Sequence, residues 1–204
     1  MSIVNTLAEL ERIYSAAPAL PSIAKEINFI SPLYWKLIQA SPFAVLATVG
    51  PEGLDCSPRG DKPGFVRVEN DRTLILPDRR GNNRIDSLRN ILRDPRVALL
   101  FLIPGSGTTF RVNGKAIISA DPQLLASLAV DDKLPRTAIV ITVEAAYFQC
   151  ARAIVRSSLW DASRHAETQT IPTPGEILEA LSAASIDGRA YDTEWPGRAA
   201  KTLW

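Results

Sequence analysis

Apolar residues recur at spacings of three and four through the first forty positions, and then the period changes. In NTLAELERIY, Leu7, Leu10, Ile13 and Tyr14 repeat on one helical face behind Asn5, a capping residue type. In SPLYWKLIQAS, Ser31 caps, Pro32 suits the first helical position, and Leu33, Leu37 and Ile38 share a face. From residue 43 the apolar positions come in short runs bounded by turn residues. FAVLATV ends at GPEG and is followed by LDCSP. FVRVEND alternates, turns at Asn70-Asp71 and continues as TLIL, which is the spacing of strand, turn and strand. NRIDSLRNILRDP returns to the helical period, with Ile85, Leu88, Ile91 and Leu92 on one face and Asp94-Pro95 as its stop.

RVALLFLIP reads as a buried strand, PGSG as a turn, and TTFRVNGKAIISA as a strand with a bulge expected at Gly114. A short helix in DPQLLASLA precedes TAIVITVEAAYF, whose β-branched start predicts another strand. CARAIVRSSLW fits coil or helix, PGEILEALSAA is a capped helix, and YDTEWPGRAAKTLW is punctuated by Pro and Gly. About six strands at hairpin spacing, with one helix interposed among the first five, predict a mainly β, antiparallel barrel or sandwich with peripheral helices. A doubly wound parallel sheet would alternate strand and helix regularly.

Composition narrows the function. The 204 residues are 46% hydrophobic and 22% charged, an ordinary globular balance for one domain. With 23 basic and 22 acidic residues, no global field recruits nucleic acid, so an anion site must be local. No apolar stretch approaches a membrane span. Glu9 and Glu11 interrupt the opening segment where a signal peptide needs an apolar run, and two cysteines are too few for a disulfide framework; a reduced, cytoplasmic setting is expected. Cys56 and Cys150 read as small, partly buried apolar residues.

Familiar catalytic motifs are missing. PGSGTT lacks the Gly-Lys-Ser/Thr ending of a phosphate loop and joins two strands, so a hairpin turn explains it. The one histidine, His165, lies in the polar stretch SRHAETQT and reads as a solvated loop residue. Asp131-Asp132 before KLPR reads as a loop, and no metal site is expected. Redox or other hard chemistry would therefore come from an organic cofactor.

Donors instead cluster at strand ends. SPRGD ends one strand with Ser57, Arg59 and Asp61; LPDRRGNNR ends the next with Arg79, Arg80, Asn82, Asn83 and Arg84; TTFRVNG offers Thr108, Thr109 and Arg111. The middle segment leads into a helix, whose first turn presents unpaired N–H groups and a partial positive charge. Asn82 or Asn83 can cap that helix, with Arg84 in its first turn beside a bound phosphate. Read alone, the same residues fit exposed arginines and capping asparagines, with Asp61 pairing Arg59. SPRGD on a neighbouring strand weighs toward an anion site.

The ordered set FAVLATVGPEGLDCSPRGD, GFV, TLILPDRRGNNR, NILRDPRVALLFLIPG, TTFRVNGKA and CARAIVRSSLWD resembles the pyridoxamine 5′-phosphate oxidase-like flavoproteins over roughly residues 31–161. The resemblance is to a bacterial subgroup carrying SPRGD and LPDRxGNNR. It implies an FMN-binding antiparallel split β-barrel and a homodimer with one FMN per subunit at the dimer interface. It divides the one globular domain into N-terminal helices (1–40) packing on a barrel (41–161), with a C-terminal helix and tail (162–204). It places Ser57 and Arg59 on the strand that contacts the flavin and its phosphate arm, and Asn82, Asn83 and Arg84 at the phosphate. Thr109 stands where family oxidases carry a flavin-contacting glutamine, with Arg111 two positions on. Arg156, Ser157 and Trp160 resemble a C-terminal element that closes over the flavin.

This sequence has no counterpart of the arginine-histidine pair that holds the substrate phosphate in the oxidases proper, and Gln149 stands where many relatives have histidine. The reading is therefore an FMN-dependent oxidoreductase acting on a small molecule or a reduced nicotinamide, with no membrane or nucleic-acid partner. The alternative is a split barrel that carries FMN, or less fittingly haem, for sensing, storage or electron transfer.

Overall fold

The computed structural model describes residues 2–165 and 170–203; Met1, residues 166–169 of the polar SRHAETQT stretch and Trp204 lie outside them. Seven strands form one antiparallel sheet: β1 Phe43–Gly50, β2 Gly53–Gly60, β3 Arg67–Asn70, β4 Thr73–Asp78, β5 Arg96–Leu102, β6 Thr109–Ser119 and β7 Thr137–Gln149. Their order is β2-β1-β5-β6-β7-β4-β3, so β2 and β3 are edges and the sheet does not close. This is an antiparallel split β-barrel with peripheral helices. The count of seven is one above the expected six or so, with Gly53–Gly60 a full strand paired with β1 along its whole length.

Alternation sets the two faces. Leu46, Leu99, Phe101, Phe110 and Val112 face the core almost without exposure, and Tyr34 and Ile38 of helix α3 (Pro32–Ala40) close over them. The Tyr34 ring lies 4.8 Å from that of Phe110. Strand β4 is buried on both faces: Leu74 and Leu76 join this core, while Ile75 joins a smaller cluster with Leu125 and Leu128. The expected bulge is present, as the β6–β7 register shifts between Asn113 and Gly114. A Cβ at Gly114 would lie 2.1 Å from the Thr142 carbonyl oxygen, so only glycine fits there.

Several local expectations change. Thr6, not Asn5, caps α1 (Leu7–Ile13), which the short α2 (Leu20–Ala24) follows, because its hydroxyl and Glu9 make a reciprocal capping box. In α3 the capping by Ser31 holds, but Tyr34 takes the buried place given to Leu33, which is exposed. The CARAIVRSSLW segment contains α6 (Arg152–Ser157). The tail is helical, α8 Gly188–Thr202, despite Pro196 within it. It packs on α7 (Pro174–Leu181) where Gly175 and Gly188 meet with no room for side chains, and Arg198 stacks 4.2 Å from the Tyr191 ring. Cys56 and Cys150 are both exposed rather than partly buried, since each falls on the outer side of its segment. Among the described residues no helix is long and apolar enough to cross a membrane.

Candidate functional site

Strand β2 carries the pattern Asp55-x-Ser57-x-Arg59, and alternation turns all three to one face. They pair with Thr48, Leu46 and Ala44 of β1, which face the core, so the three polar side chains lie on the core side at the open edge of the sheet. Helix α4 (Asp86–Arg93) covers them. Its buried residues are Ser87, Asn90 and Ile91, while Ile85 and Leu92 are exposed, so the expected all-apolar face is instead half polar. The reason is chemical: Asn90 donates to the Thr48 hydroxyl at 3.1 Å, and Ser87 meets the polar row of β2.

Between β4 and α4 runs the arginine segment. Neither asparagine caps the helix, and Arg84 precedes its first turn. Asn82 accepts from the Arg84 amide at 3.1 Å, forming a local turn, and Asn83 accepts from Arg136 at 3.2 Å. Asn83 and Ile85 both have left-handed backbone, with φ of 60° and 54°. A β-branched residue in that region is strained. Ile85 occupies the cap position, so no side chain accepts from the first-turn N–H groups of α4.

These elements enclose a cleft of about 520 Å³ lined by Ser57, Arg59, Asp78, Arg84, Ser87 and Arg136, among others. Its walls contain five arginines (59, 79, 80, 84 and 136) and three aspartates (55, 78 and 86), so the local balance is positive in a nearly neutral chain. Arg59 donates from Nη2 to the Ser87 hydroxyl at 3.2 Å, and its Nη1 lies 3.7 Å from Asp78. Its Nε–H is buried with no hydrogen-bond partner. Burial pushes the Asp78 carboxyl above its ordinary pKa, against the opposing pull of Arg59 and Arg136. Asp61 pairs with Arg79 at 2.8 Å rather than with Arg59, and Arg79 also donates to the Leu128 carbonyl at 2.9 Å. Arg84 is exposed and pairs with Asp86 at 2.8 Å.

The structure thus gathers Ser57, Arg59, Asn82, Asn83 and Arg84 around one cleft and leaves the other expected site residues elsewhere. Phe110 and Val112 face the core, so Thr109 and Arg111 point to the opposite face of the sheet. There the Thr109 hydroxyl lies 3.3 Å from the Gln149 side-chain oxygen, and Arg111 donates to Asn113 at 3.0 Å beside the Tyr147 ring. Arg156 and Ser157 are exposed on α6, and Trp160 donates from its indole to the Ser106 carbonyl at 2.7 Å. Sequence reasoning missed Asp55, Asp78, Ser87 and Arg136. The two-residue period of β2 was a signal for Asp55; Ser87 and Arg136 reach the cleft only through tertiary structure.

No curated protein matches this chain. Among solved structures it is similar to HupZ of Group A Streptococcus, at 19% identity and a TM-score of 0.49 over 59% of this chain and 94% of that one. It is also similar to general stress protein 26 of Bacillus anthracis, at 18% identity and a TM-score of 0.43 over 55% of this chain and 88% of that one. The family model described as pyridoxamine 5′-phosphate oxidase matches residues 31–150, the span that contains all seven strands, α4 and the arginine cleft. On that match, the chain belongs to the pyridoxamine 5′-phosphate oxidase family.

Proposed function

We propose that this chain is an FMN-dependent oxidoreductase that holds the cofactor's phosphate in the arginine cleft and completes the ring site as a homodimer. The observation that carries the reading is the orphaned Nε–H of Arg59 in a cleft rich in arginine. Nε and Nη2 form one edge of a guanidinium, and only one Nη2 hydrogen is engaged by Ser87. The open Nε–H is placed to donate a charge-assisted hydrogen bond to a phosphate oxygen. Ser57 lines the cleft beside it, and Arg80, Arg84 and Arg136 supply further positive charge at the rim. The residues present therefore fit a phosphate monoester.

Bound there, a flavin would supply hydride or electron transfer. The protein's part is to fix the phosphate, exclude water from the anchored end and set the charge around the ring. Thr109, Arg111, Arg156, Ser157 and Trp160 serve the ring end in this reading. Because Arg59 and Arg111 lie on opposite faces of one sheet, a second copy brings the two groups together. The turnover partner is a small molecule or a reduced nicotinamide.

Protein purified under mild conditions, mixed with FMN and desalted, is expected to retain the twin visible bands of a flavin. Arg59→Ala should weaken FMN binding by about 2 kcal/mol, the scale of a hydrogen bond to a charged group, and leave riboflavin binding unchanged. FMN affinity at the wild-type level in that variant would move the phosphate to another site. Anaerobic bleaching of the bands by NADH or NADPH separates an oxidoreductase from a carrier or sensor.

A further inference from the structure

One buried hydroxyl in the cleft touches three polar residues of β2. Ser87 is 4% exposed. Its Oγ lies 2.6 Å from Asp55 Oδ2, 3.0 Å from the Ser57 hydroxyl and 3.2 Å from Arg59 Nη2. A serine oxygen has one proton and two lone pairs, and an ionised carboxylate only accepts. The proton of Ser87 is therefore committed to Asp55. That leaves both lone pairs for the donors, one for Arg59 and one for Ser57, and the capacity of the hydroxyl is filled. Asp78 stands at the other end of the same guanidinium, 3.7 Å from Nη1.

We infer that Ser87, with its hydroxyl rotation locked by Asp55, is the positioning residue that aims Arg59 at a phosphate monoester, while Ser57, whose proton goes to Ser87, braces the same hydroxyl. Asp55 acts at one further remove, and neither group needs to touch the ligand. The inference rests on the phosphate reading given above. It also explains why a carboxylate stands inside an anion cleft. By charge alone Asp55 repels the ligand, so removing it would tighten binding; as the lock on Ser87 it helps, so removing it loosens binding. The two accounts differ in sign.

The test measures FMN and riboflavin affinities by fluorescence quenching for the wild type, Ser87→Ala, Asp55→Ala, Arg59→Ala and the Arg59→Ala/Ser87→Ala double variant. Inorganic phosphate affinities are measured by calorimetry on the same set. Ser87→Ala is expected to cut the FMN-to-riboflavin affinity ratio about tenfold, as for one lost hydrogen bond to a charged group. Asp55→Ala should lower the ratio too. In the Arg59→Ala background, Ser87→Ala should change it no further, because its effect runs through the missing guanidinium. A ratio raised by Asp55→Ala, or additive losses in the double variant, overturns the inference. Should Ser87→Ala not fold, Asp55→Ala, at a half-buried position on an edge strand, carries the same test of sign. If the wild type binds phosphate but not FMN, the flavin reading fails while the phosphate series still decides the role of Ser87. If it binds neither, both fall.

Discussion

Arg79 stands in the donor-rich segment yet serves the fold. Its guanidinium meets Asp61, whose side chain is 1% exposed, and the Leu128 carbonyl, so it ties the chain just past β2 and the residues after β4 to the end of α5 (Pro122–Ser127). Truncation would leave a buried carboxylate without its partner, and such losses are large. Arg79→Ala is expected to cost about 3 kcal/mol, read as a lower urea midpoint at unchanged m. Asp78 acts in the opposite sense. Burial raises its folded pKa above the unfolded value, so the folded state holds the proton more tightly and stability falls as pH rises through that window. Asp78→Asn should therefore raise the melting temperature at pH 7. The gain should shrink as pH falls below the ordinary carboxylate range, where both states of the wild type are protonated.

The first turn of α4 shows how strain and site coincide. Ile85 has left-handed backbone while its side chain is half exposed, so it holds an unfavourable conformation with little burial in return. Ile85→Gly is expected to stabilise the fold by about 1 kcal/mol, the cost of that region for a residue with a Cβ, measured by chemical denaturation. Such elements also mark where sequence was informative. The Ser31-Pro32 start of α3, the apolar runs of β1, β5 and β7 and the bulge at Gly114 were legible because their causes are local: a cap, a period, a glycine. Ser31 acts within a few residues, and Gly114 shows itself by lacking the side chain for which the Thr142 carbonyl leaves no room. The polar face of α4 was not legible, because Ser87 and Asn90 are buried against Asp55 and Thr48, partners 32 and 42 residues away. The α8 helix was hidden by its own Pro196 and Gly197; it is held by the Gly175–Gly188 approach and the Arg198 stack, which no helical period records. At the site, the arginine-rich segment was visible as a concentration of donors. Its division of labour was not, since only burial separates the structural Arg79 from the exposed Arg84.

At the scale of the whole molecule, one sheet face remains apolar and open. Val45, Val49, Leu100 and Leu102 are half-buried there, and Phe43 and Leu54 are exposed beside them. In the homodimer proposed above this face meets a second copy. Leu100→Glu is expected to give a monomer in size-exclusion chromatography with light scattering, and to lose FMN although the arginine cleft is untouched. A dimer that kept its flavin with glutamate at this position would assign the contact to another surface. The pairing of β4 with β7 carries a different consequence, for the order in which the molecule is made. Asp78 at the end of β4 pairs with Thr137, nearly sixty residues later, and β4 has no other neighbour in the sheet than β7 and the short β3. Closing so long a loop before any contact rewards it is slow. The arginine segment hangs from that end of β4, so on the ribosome its support from the sheet is incomplete until β7 has emerged. The ligand cleft is therefore among the last parts to be completed, and a nascent chain stalled before β7 would have a nearly finished β1–β2 hairpin beside a cleft that still lacked its wall at Thr137.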